Sequence, residues 1–107
     1  METLAVKYKL KRGTETRVAE WRQYSSDHKE EILERCRLEG IVIESAFLDT
    51  VGDDTYLIYF LKAKNLEKVY EIFDASQHPV DLYQKAFKAE VIEEWTLLTL
   101  AVDFETF

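Results

Sequence analysis

The chain has 107 residues, 47% of them hydrophobic, and a formal net charge of -7. Such a length fits one domain with its own core, so residues 1–107 are predicted to fold as a single unit. The acidic balance, the scattered Lys and Arg residues and the short apolar runs argue against nucleic-acid binding and against association with a membrane.

The first predicted element is a strand. Apolar and polar side chains alternate along residues 3–11, which is the period of a strand with two unequal faces. The more apolar face carries Leu4, Val6, Tyr8 and Leu10, and the other face carries Ala5, Lys7 and Lys9.

A helix is predicted next, from Thr14 to Gly40, since Thr is a good N-cap and Gly readily ends a helix. The polar stretch 25–27 interrupts its apolar stripe and offers a point at which a second helix begins. Glu31 and Arg35 are assigned to the exposed face, where they form an i,i+4 pair of favourable order.

The next two elements are predicted to be the strands of an antiparallel hairpin. Residues 41–49 and 56–61 form these strands, and the turn chemistry of residues 51–54 joins them. The second strand is apolar on both faces. In the first strand, one face carries Ile41, Ile43 and Phe47, and the other carries Val42, Ala46 and Leu48.

The last third of the chain is predicted to hold two helices and a strand. Asn65 is a good N-cap for a helix whose apolar residues repeat through Phe73. A shorter helix begins near Pro79, and residues 94–103 form a strand that is apolar on both faces.

This order, β-α-β-β-α-(α)-β, predicts an α+β, ferredoxin-like fold with a four-stranded antiparallel sheet. Helices can cover only one face of such a sheet, whereas most of its strands are apolar on both faces. Two sheets that pack face to face in a homodimer would bury the second apolar face. The alternative is a monomer with an unusually apolar surface.

Four segments carry a resemblance to a known group of proteins. They are Arg17 to Trp21, Leu38-Glu39-Gly40 before Glu44-Ser45-Ala46-Phe47-Leu48, the run Tyr56 to Phe60, and the S-x-H-P-x-D segment Ser76 to Asp81. With them the chain resembles the dimeric α/β-barrel superfamily, and more narrowly small bacterial proteins of unknown function. The resemblance implies a homodimer with a cavity in each subunit between sheet and helices, and it implies no particular reaction.

The S-x-H-P-x-D segment has two interpretations. In the structural one, His78 or Ser76 caps a helix, Pro79 takes its first position, and Asp81 accepts hydrogen bonds from free N–H groups of the first turn. In the functional one, His78 is a general base or a ligand-orienting donor at the mouth of the cavity, and Asp81 fixes its tautomer. His78 and Asp81 are therefore the candidate catalytic residues.

Three more residues are candidates for ligand binding. Glu44 is assigned to the dimer side of the sheet, where Lys7 and Lys9 would supply counter-charges, although a solvated rim would also accommodate it. Trp21 and Tyr83 belong to an aromatic set that either lines a pocket for a flat apolar ligand or forms plain core.

No metal site and no cofactor is expected. The two histidines and the one cysteine are far apart in sequence, and no Gly-rich phosphate loop is present. Cys36 falls on the apolar stripe, where a thiol is usually inert, and it has no partner for an internal disulfide. The N-terminal residues lack the continuous apolar centre of a signal peptide, so a cytoplasmic protein is expected.

The leading functional hypothesis is a small cytoplasmic homodimer that binds a small organic molecule in the cavity between sheet and helices. One alternative is a cofactor-independent monooxygenase or isomerase-like enzyme of the same superfamily, with desolvation supplied by the pocket. Another alternative is a structural module whose acidic helix faces bind a protein partner. Whether the protein is an enzyme stays open at this point.

Overall fold

The computed structural model describes all 107 residues and confirms the predicted α+β, ferredoxin-like architecture. The four strands are β1 (Glu2–Leu10), β2 (Ile41–Val51), β3 (Asp54–Ala63) and β4 (Ile92–Leu97). The four helices are α1 (Glu15–Asp27), α2 (Lys29–Glu39), α3 (Leu66–Ala75) and α4 (Pro79–Val91). None of these helices has the length and apolar character needed to cross a membrane.

The strands form one antiparallel sheet in the order β2-β3-β1-β4. Strands β1 and β3 lie at the centre, and the turn at residues 52–53 joins β2 to β3 as the predicted hairpin. Asn65 caps α3 as expected, since its side chain accepts a hydrogen bond from the Lys68 N–H at 3.1 Å.

The long predicted helix is divided into α1 and α2 at His28. The backbone of His28 leaves the helical region (φ -112°, ψ 24°), so the break lies one residue beyond the polar stretch 25–27. No side chain caps the start of α2. Gly40 ends α2 in the left-handed conformation, with φ at +81°, which favours a residue without Cβ.

All four helices pack on the face of the sheet that carries the apolar residues of β1, namely Leu4, Val6, Tyr8 and Leu10. The core cluster contains Leu10, Val18, Trp21, Leu57, Phe87 and Val91. Trp21 stacks on Phe87, with ring centroids 4.7 Å apart and planes 4° from parallel. This stack joins α1 to α4 above the central strands.

Glu44 lies on the helix side of the sheet, so its predicted place on the dimer side is wrong. It pairs with Leu61, which also pairs with Leu4 on the helix-covered face of β1. Period-two alternation shows which residues share a face, but it does not show which face the helices cover. Lys7 belongs to the opposite face and is no counter-charge for Glu44.

The last strand is shorter than predicted and ends at Leu97, whereas residues 98–107 have no regular structure. Acidic side chains of this tail bind polar groups of β1 and β3. Asp103 accepts hydrogen bonds from Lys62 at 2.8 Å and from Thr3 at 2.9 Å. Lys62 is thereby buried, with only 4% of its surface exposed.

The face opposite the helices stays largely uncovered and apolar. Phe47 is 59% exposed there, close to Ile58 of the neighbouring strand. The tail adds further exposed apolar side chains, namely Leu98, Leu100, Val102, Phe104 and Phe107. Only 14 of the 107 residues are buried in the isolated chain, so much of its apolar surface has no partner within the chain.

Candidate functional site

A cavity of about 580 Å³ lies between the sheet and the helices. Side chains from β1, β2, β3 and all four helices line it, and 16 of its 26 lining residues are hydrophobic. The ten polar lining residues are Ser25, Lys29, Arg35, Arg37, Glu39, Glu44, Ser45, Asp81, Gln84 and Lys88. This size and mixture are typical of a site for a small organic molecule.

Asp81 is held in the cavity wall by a buried polar network. Its Oδ2 atom accepts hydrogen bonds from Ser76 Oγ at 2.6 Å and from Arg35 Nε at 2.9 Å. Arg35 Nη2 also donates to Ser76 Oγ, at 3.1 Å. The predicted exposed pair of Glu31 and Arg35 is therefore wrong, because the guanidinium turns inward and joins α2 to the start of α4.

His78 caps α4, as the structural interpretation of its segment predicts, but Asp81 accepts no hydrogen bond from the N–H groups of the first turn. Its Nδ1 atom accepts a hydrogen bond from the Val80 N–H at 3.1 Å, and Pro79 takes the first helical position. The His78 N–H donates to Ser76 Oγ at 3.1 Å. His78 does not line the cavity, and the hydrogen bonds of Asp81 go to Arg35 and Ser76 instead of the imidazole.

The two aromatic candidates lie in different places. Trp21 lines the cavity and donates a hydrogen bond from Nε1 to Gln84 Oε1 at 2.8 Å. Tyr83 lies outside the lining, where it stacks on Tyr24 and accepts a hydrogen bond from Arg17 at 2.8 Å. The structure thus brings together Trp21, Glu44 and Asp81 and leaves His78 and Tyr83 outside the cavity.

Glu39 is the cavity residue with the most unusual environment. Only 6% of its surface is exposed, and its Oε1 atom is buried without a hydrogen-bond partner. Burial raises the pKa of Glu39 to about 7, and the negative charges of Asp81 and Glu44 act in the same direction. A substantial fraction of this carboxyl group is therefore protonated at neutral pH.

Lys88 belongs to α4 and lines the cavity. Its Nζ atom is 4.7 Å from the ring centroid of Tyr59 and 5.6 Å from that of Phe73. Burial lowers the pKa of Lys88, although Glu44 and Glu39 partly oppose the effect. The site therefore combines a carboxyl group with a raised pKa and an amine with a lowered pKa.

Glu44 occupies the outer part of the cavity, on β2, and stays exposed to solvent. The Cys36 thiol contacts Glu44 Oε2 at 3.6 Å. Burial and the nearby carboxylates raise the pKa of Cys36 to about 12, so the thiol is not a nucleophile at neutral pH. No group of three or more His, Cys, Asp or Glu side chains is arranged to hold a metal ion.

Glu39 and Lys88 were not predicted as site residues, yet part of the signal is present in the sequence. Asp81, Gln84 and Lys88 are spaced i, i+3 and i+7, which places them on one face of a helix that also carries apolar residues. Glu39 gives no comparable signal. Its burial depends on how α2 packs against β2 and α3, which no local pattern reveals.

We expect Glu39 to make the stability of the protein fall as the pH rises. The pKa of Glu39 is 4.5 in the unfolded chain and about 7 in the folded protein. Between these two pH values the folded state retains a proton that the unfolded state has released, so the free energy of unfolding decreases as the pH rises. The unfolding free energy of the natural protein should therefore fall, relative to that of Glu39→Gln, by about 1–3 kcal/mol between pH 5 and pH 8. Urea unfolding of both proteins from pH 5 to pH 8 measures the difference.

Glu34→Gln is the control, because Glu34 is an exposed carboxylate on the same helix. The unfolding free energy of this variant should change with pH in the same way as that of the natural protein. Parallel curves for Glu39→Gln and the natural protein would contradict the raised pKa of Glu39.

Comparison with known proteins gives a family and a fold. A model of a family of unknown function, DUF6176, matches residues 1–106. The chain belongs to this family. No curated protein matches the sequence of this DUF6176 protein.

Among solved structures, the DUF6176 chain is similar to the crystal structure of the L-rhamnose mutarotase FA22100 from Formosa agariphila. The TM-score is 0.57, the sequence identity is 18%, and the similarity covers 100% of both chains. At this identity the comparison supports the ferredoxin-like fold and transfers no residue roles.

Proposed function

We propose that this DUF6176 protein binds a small organic molecule in the cavity between the sheet and the helices. The observation that carries the proposal is the cavity of about 580 Å³ with a mostly hydrophobic lining and a few converging ionisable groups. The buried Oε1 atom of Glu39 supports it, since a ligand hydroxyl or carbonyl group would supply the partner that the chain does not.

Filling the cavity from its outer part tests this proposal. Ala46 lines the cavity on β2 and is exposed, so Ala46→Phe places a ring at the entrance without disturbing the core. In ligand-observed NMR with a library of neutral small molecules, hits of the natural protein should bind at least about tenfold more weakly to this variant, a loss of roughly 1.4 kcal/mol.

Ala89→Phe serves as the matched control, because Ala89 is an exposed residue of α4 outside the cavity lining. It should bind the same molecules as the natural protein. If no molecule distinguishes Ala46→Phe from Ala89→Phe, binding in the cavity is refuted.

We also propose that the protein acts as a homodimer in which the uncovered faces of two sheets pack together. The exposed apolar residues of that face and the superfamily resemblance support this arrangement, as does the apolar tail beside it. The cytoplasmic location inferred from the sequence belongs to the same proposal and would be tested by fractionation of the source cells.

Sedimentation velocity at micromolar concentration tests the dimer. Phe47→Asp places a charge in the middle of the uncovered face and should produce a monomer. Leu38→Asp is the matched control, because Leu38 is 60% exposed but lies on α2, away from that face. A natural protein that sediments as a monomer, or two variants with the same effect, would rule out this interface.

A second candidate function is an isomerase-like enzyme that moves protons on a hydroxylated carbonyl compound. Two observations favour it over a monooxygenase: the raised pKa of Glu39 and the lowered pKa of Lys88 provide an acid and a base in one cavity. The fold shared with an L-rhamnose mutarotase agrees with this class of reaction but identifies no substrate.

NMR exchange spectroscopy on anomers of reducing sugars, with L-rhamnose among them, tests the second candidate. An active protein should accelerate anomer exchange, and Glu39→Gln should reduce the acceleration by a factor of about 10²–10⁴, the usual contribution of general acid–base catalysis. Equal rates with and without the protein across the sugars would count against a mutarotase-like activity.

A further inference from the structure

Lys88 is a partly buried cation of the cavity lining that has no hydrogen-bonding partner in the chain, whereas the other unpaired lining cations, Lys29 and Arg37, are exposed. Its Nζ atom takes part in none of the ion pairs of the protein. Its neighbours are aromatic rings, those of Tyr59, Phe73 and Tyr8, at 4.7–5.8 Å from the ring centroids. By contrast, Lys85 on the same helix donates to two backbone carbonyl groups at 3.1 Å.

The charges around Lys88 disfavour an anionic ligand. Glu39 and Glu44 line the same cavity and act on Lys88, so a negatively charged ligand would be a third acidic group in this space. Among the other basic residues of the lining, Arg35 is paired with Asp81, and Lys29 and Arg37 are exposed, so that solvent screens their charges. A neutral ligand with an electrophilic or hydrogen-bonding oxygen suits this balance better.

We propose that Lys88 forms a reversible imine with the carbonyl group of a neutral aldehyde or ketone, with Glu39 as the proton donor. This inference rests on the proposed ligand cavity and names the chemical class of its ligand. A lysine among aromatic rings, without a carboxylate partner, is in the kind of environment that activates amines toward carbonyl groups. The lowered pKa of Lys88 agrees with this role.

The reaction balances without an additional reactant. The unprotonated Nζ atom attacks the carbonyl carbon, and a proton passes from nitrogen to oxygen to give a carbinolamine. The Glu39 carboxyl group then protonates the hydroxyl group, which leaves as water while the nitrogen lone pair forms the C=N bond. The products are an iminium ion on Lys88 and a carboxylate on Glu39, whose opposite charges stabilise each other. Addition of water reverses the steps.

Reductive trapping on the natural protein tests the inference directly. The protein is treated at pH 7 with propanal, a small neutral aldehyde, and sodium cyanoborohydride, and the propylation rate of each lysine is measured by peptide mass mapping. A lowered pKa increases the unprotonated fraction of an amine at pH 7. Lys88 should therefore react measurably faster than Lys85, whose ammonium group donates to two backbone carbonyl groups, and this advantage should shrink towards pH 10.

Two variants test the role of the surroundings. Glu39→Gln lacks the acidic proton and should slow the propylation of Lys88 about tenfold while leaving that of Lys85 unchanged. Ala46→Phe should also slow Lys88, since it obstructs the cavity. Propylation of Lys88 at or below the rate of Lys85 in the natural protein would overturn the inference.

The outcomes also separate this inference from the proposed function. If neutral molecules bind the natural protein and not Ala46→Phe, but Lys88 shows no preferential trapping, the cavity binds ligands and the imine is refuted. If Lys88 is trapped rapidly and Ala46→Phe does not slow it, the amine is reactive but ligand entry through the cavity is refuted.

Discussion

Asp81→Ala should lower the free energy of unfolding by about 3 kcal/mol. The Asp81 side chain is 5% exposed and the Arg35 side chain 19% exposed, so the substitution leaves a largely buried guanidinium without its counter-charge. It also removes the acceptor of the Ser76 hydroxyl group. Loss of a helix cap alone would cost only about 0.5–2 kcal/mol. Urea unfolding at one fixed protein concentration measures the loss.

Glu90→Ala is the matched control for this result. Glu90 also pairs with an arginine, Arg17, but its side chain is 54% exposed, so solvent screens the pair. We expect a loss below about 1 kcal/mol. A double-mutant cycle with Arg35→Met should show coupling between Arg35 and Asp81, because the two groups form one network. A loss of similar size for Asp81→Ala and Glu90→Ala would contradict the importance of this network.

Phe87→Ala should be the most destabilising single truncation in the protein, with an expected loss of about 3–5 kcal/mol. Phe87 is fully buried, and it stacks on Trp21 at the centre of the core cluster. Its removal leaves a cavity beneath the Trp21 ring, next to the proposed ligand site. Thermal or urea unfolding gives the loss, and Trp21 fluorescence should report the altered environment of the ring.

Leu38→Ala provides the comparison for Phe87→Ala. Leu38 is 60% exposed on α2, away from the uncovered face of the sheet, so its truncation should change the unfolding free energy by less than about 0.5 kcal/mol. If both truncations have small effects, the core does not depend on the stack of Phe87 and Trp21.

The sequence predicts most of the fold because its local signals agree with one another. The alternation of β1, the N-cap Asn65 and the proline at the start of α4 each have a local physical cause, and each prediction is confirmed. The errors concern choices that local patterns leave open. Alternation groups Val42, Glu44 and Ala46 on one face, but only the packing of the helices determines whether that face is covered.

The candidate site is predicted only in part for a related reason. Trp21, Asp81 and Glu44 line the cavity, but the partner of Asp81 is Arg35, which is 46 positions away and was assigned to an exposed helix face. Contacts of this range follow from tertiary packing. The burial of Glu39 has the same origin, and with it the raised pKa that makes this residue chemically interesting.

The cavity bears on the three functional hypotheses drawn from the sequence. A filled interior would have favoured a purely structural interaction module, and an enclosed cavity reached by His78 would have favoured ligand binding or catalysis. The cavity of about 580 Å³ is present, but His78 does not line it. His78 was the expected centre of either activity. The geometry instead directs attention to Glu39 and Lys88, with His78 acting as a helix cap.

The strand order has a consequence for the association of the protein with other molecules. With β2 and β4 outermost, two rows of backbone amides and carbonyls are available for edge-to-edge pairing with other molecules. Both edge strands carry acidic side chains, among them Asp49 on β2 and Glu93 and Glu94 on β4, and like charges at the edges of two molecules repel each other. Replacing these residues with neutral ones would remove this repulsion and promote aggregation of still-folded molecules into larger β-structures.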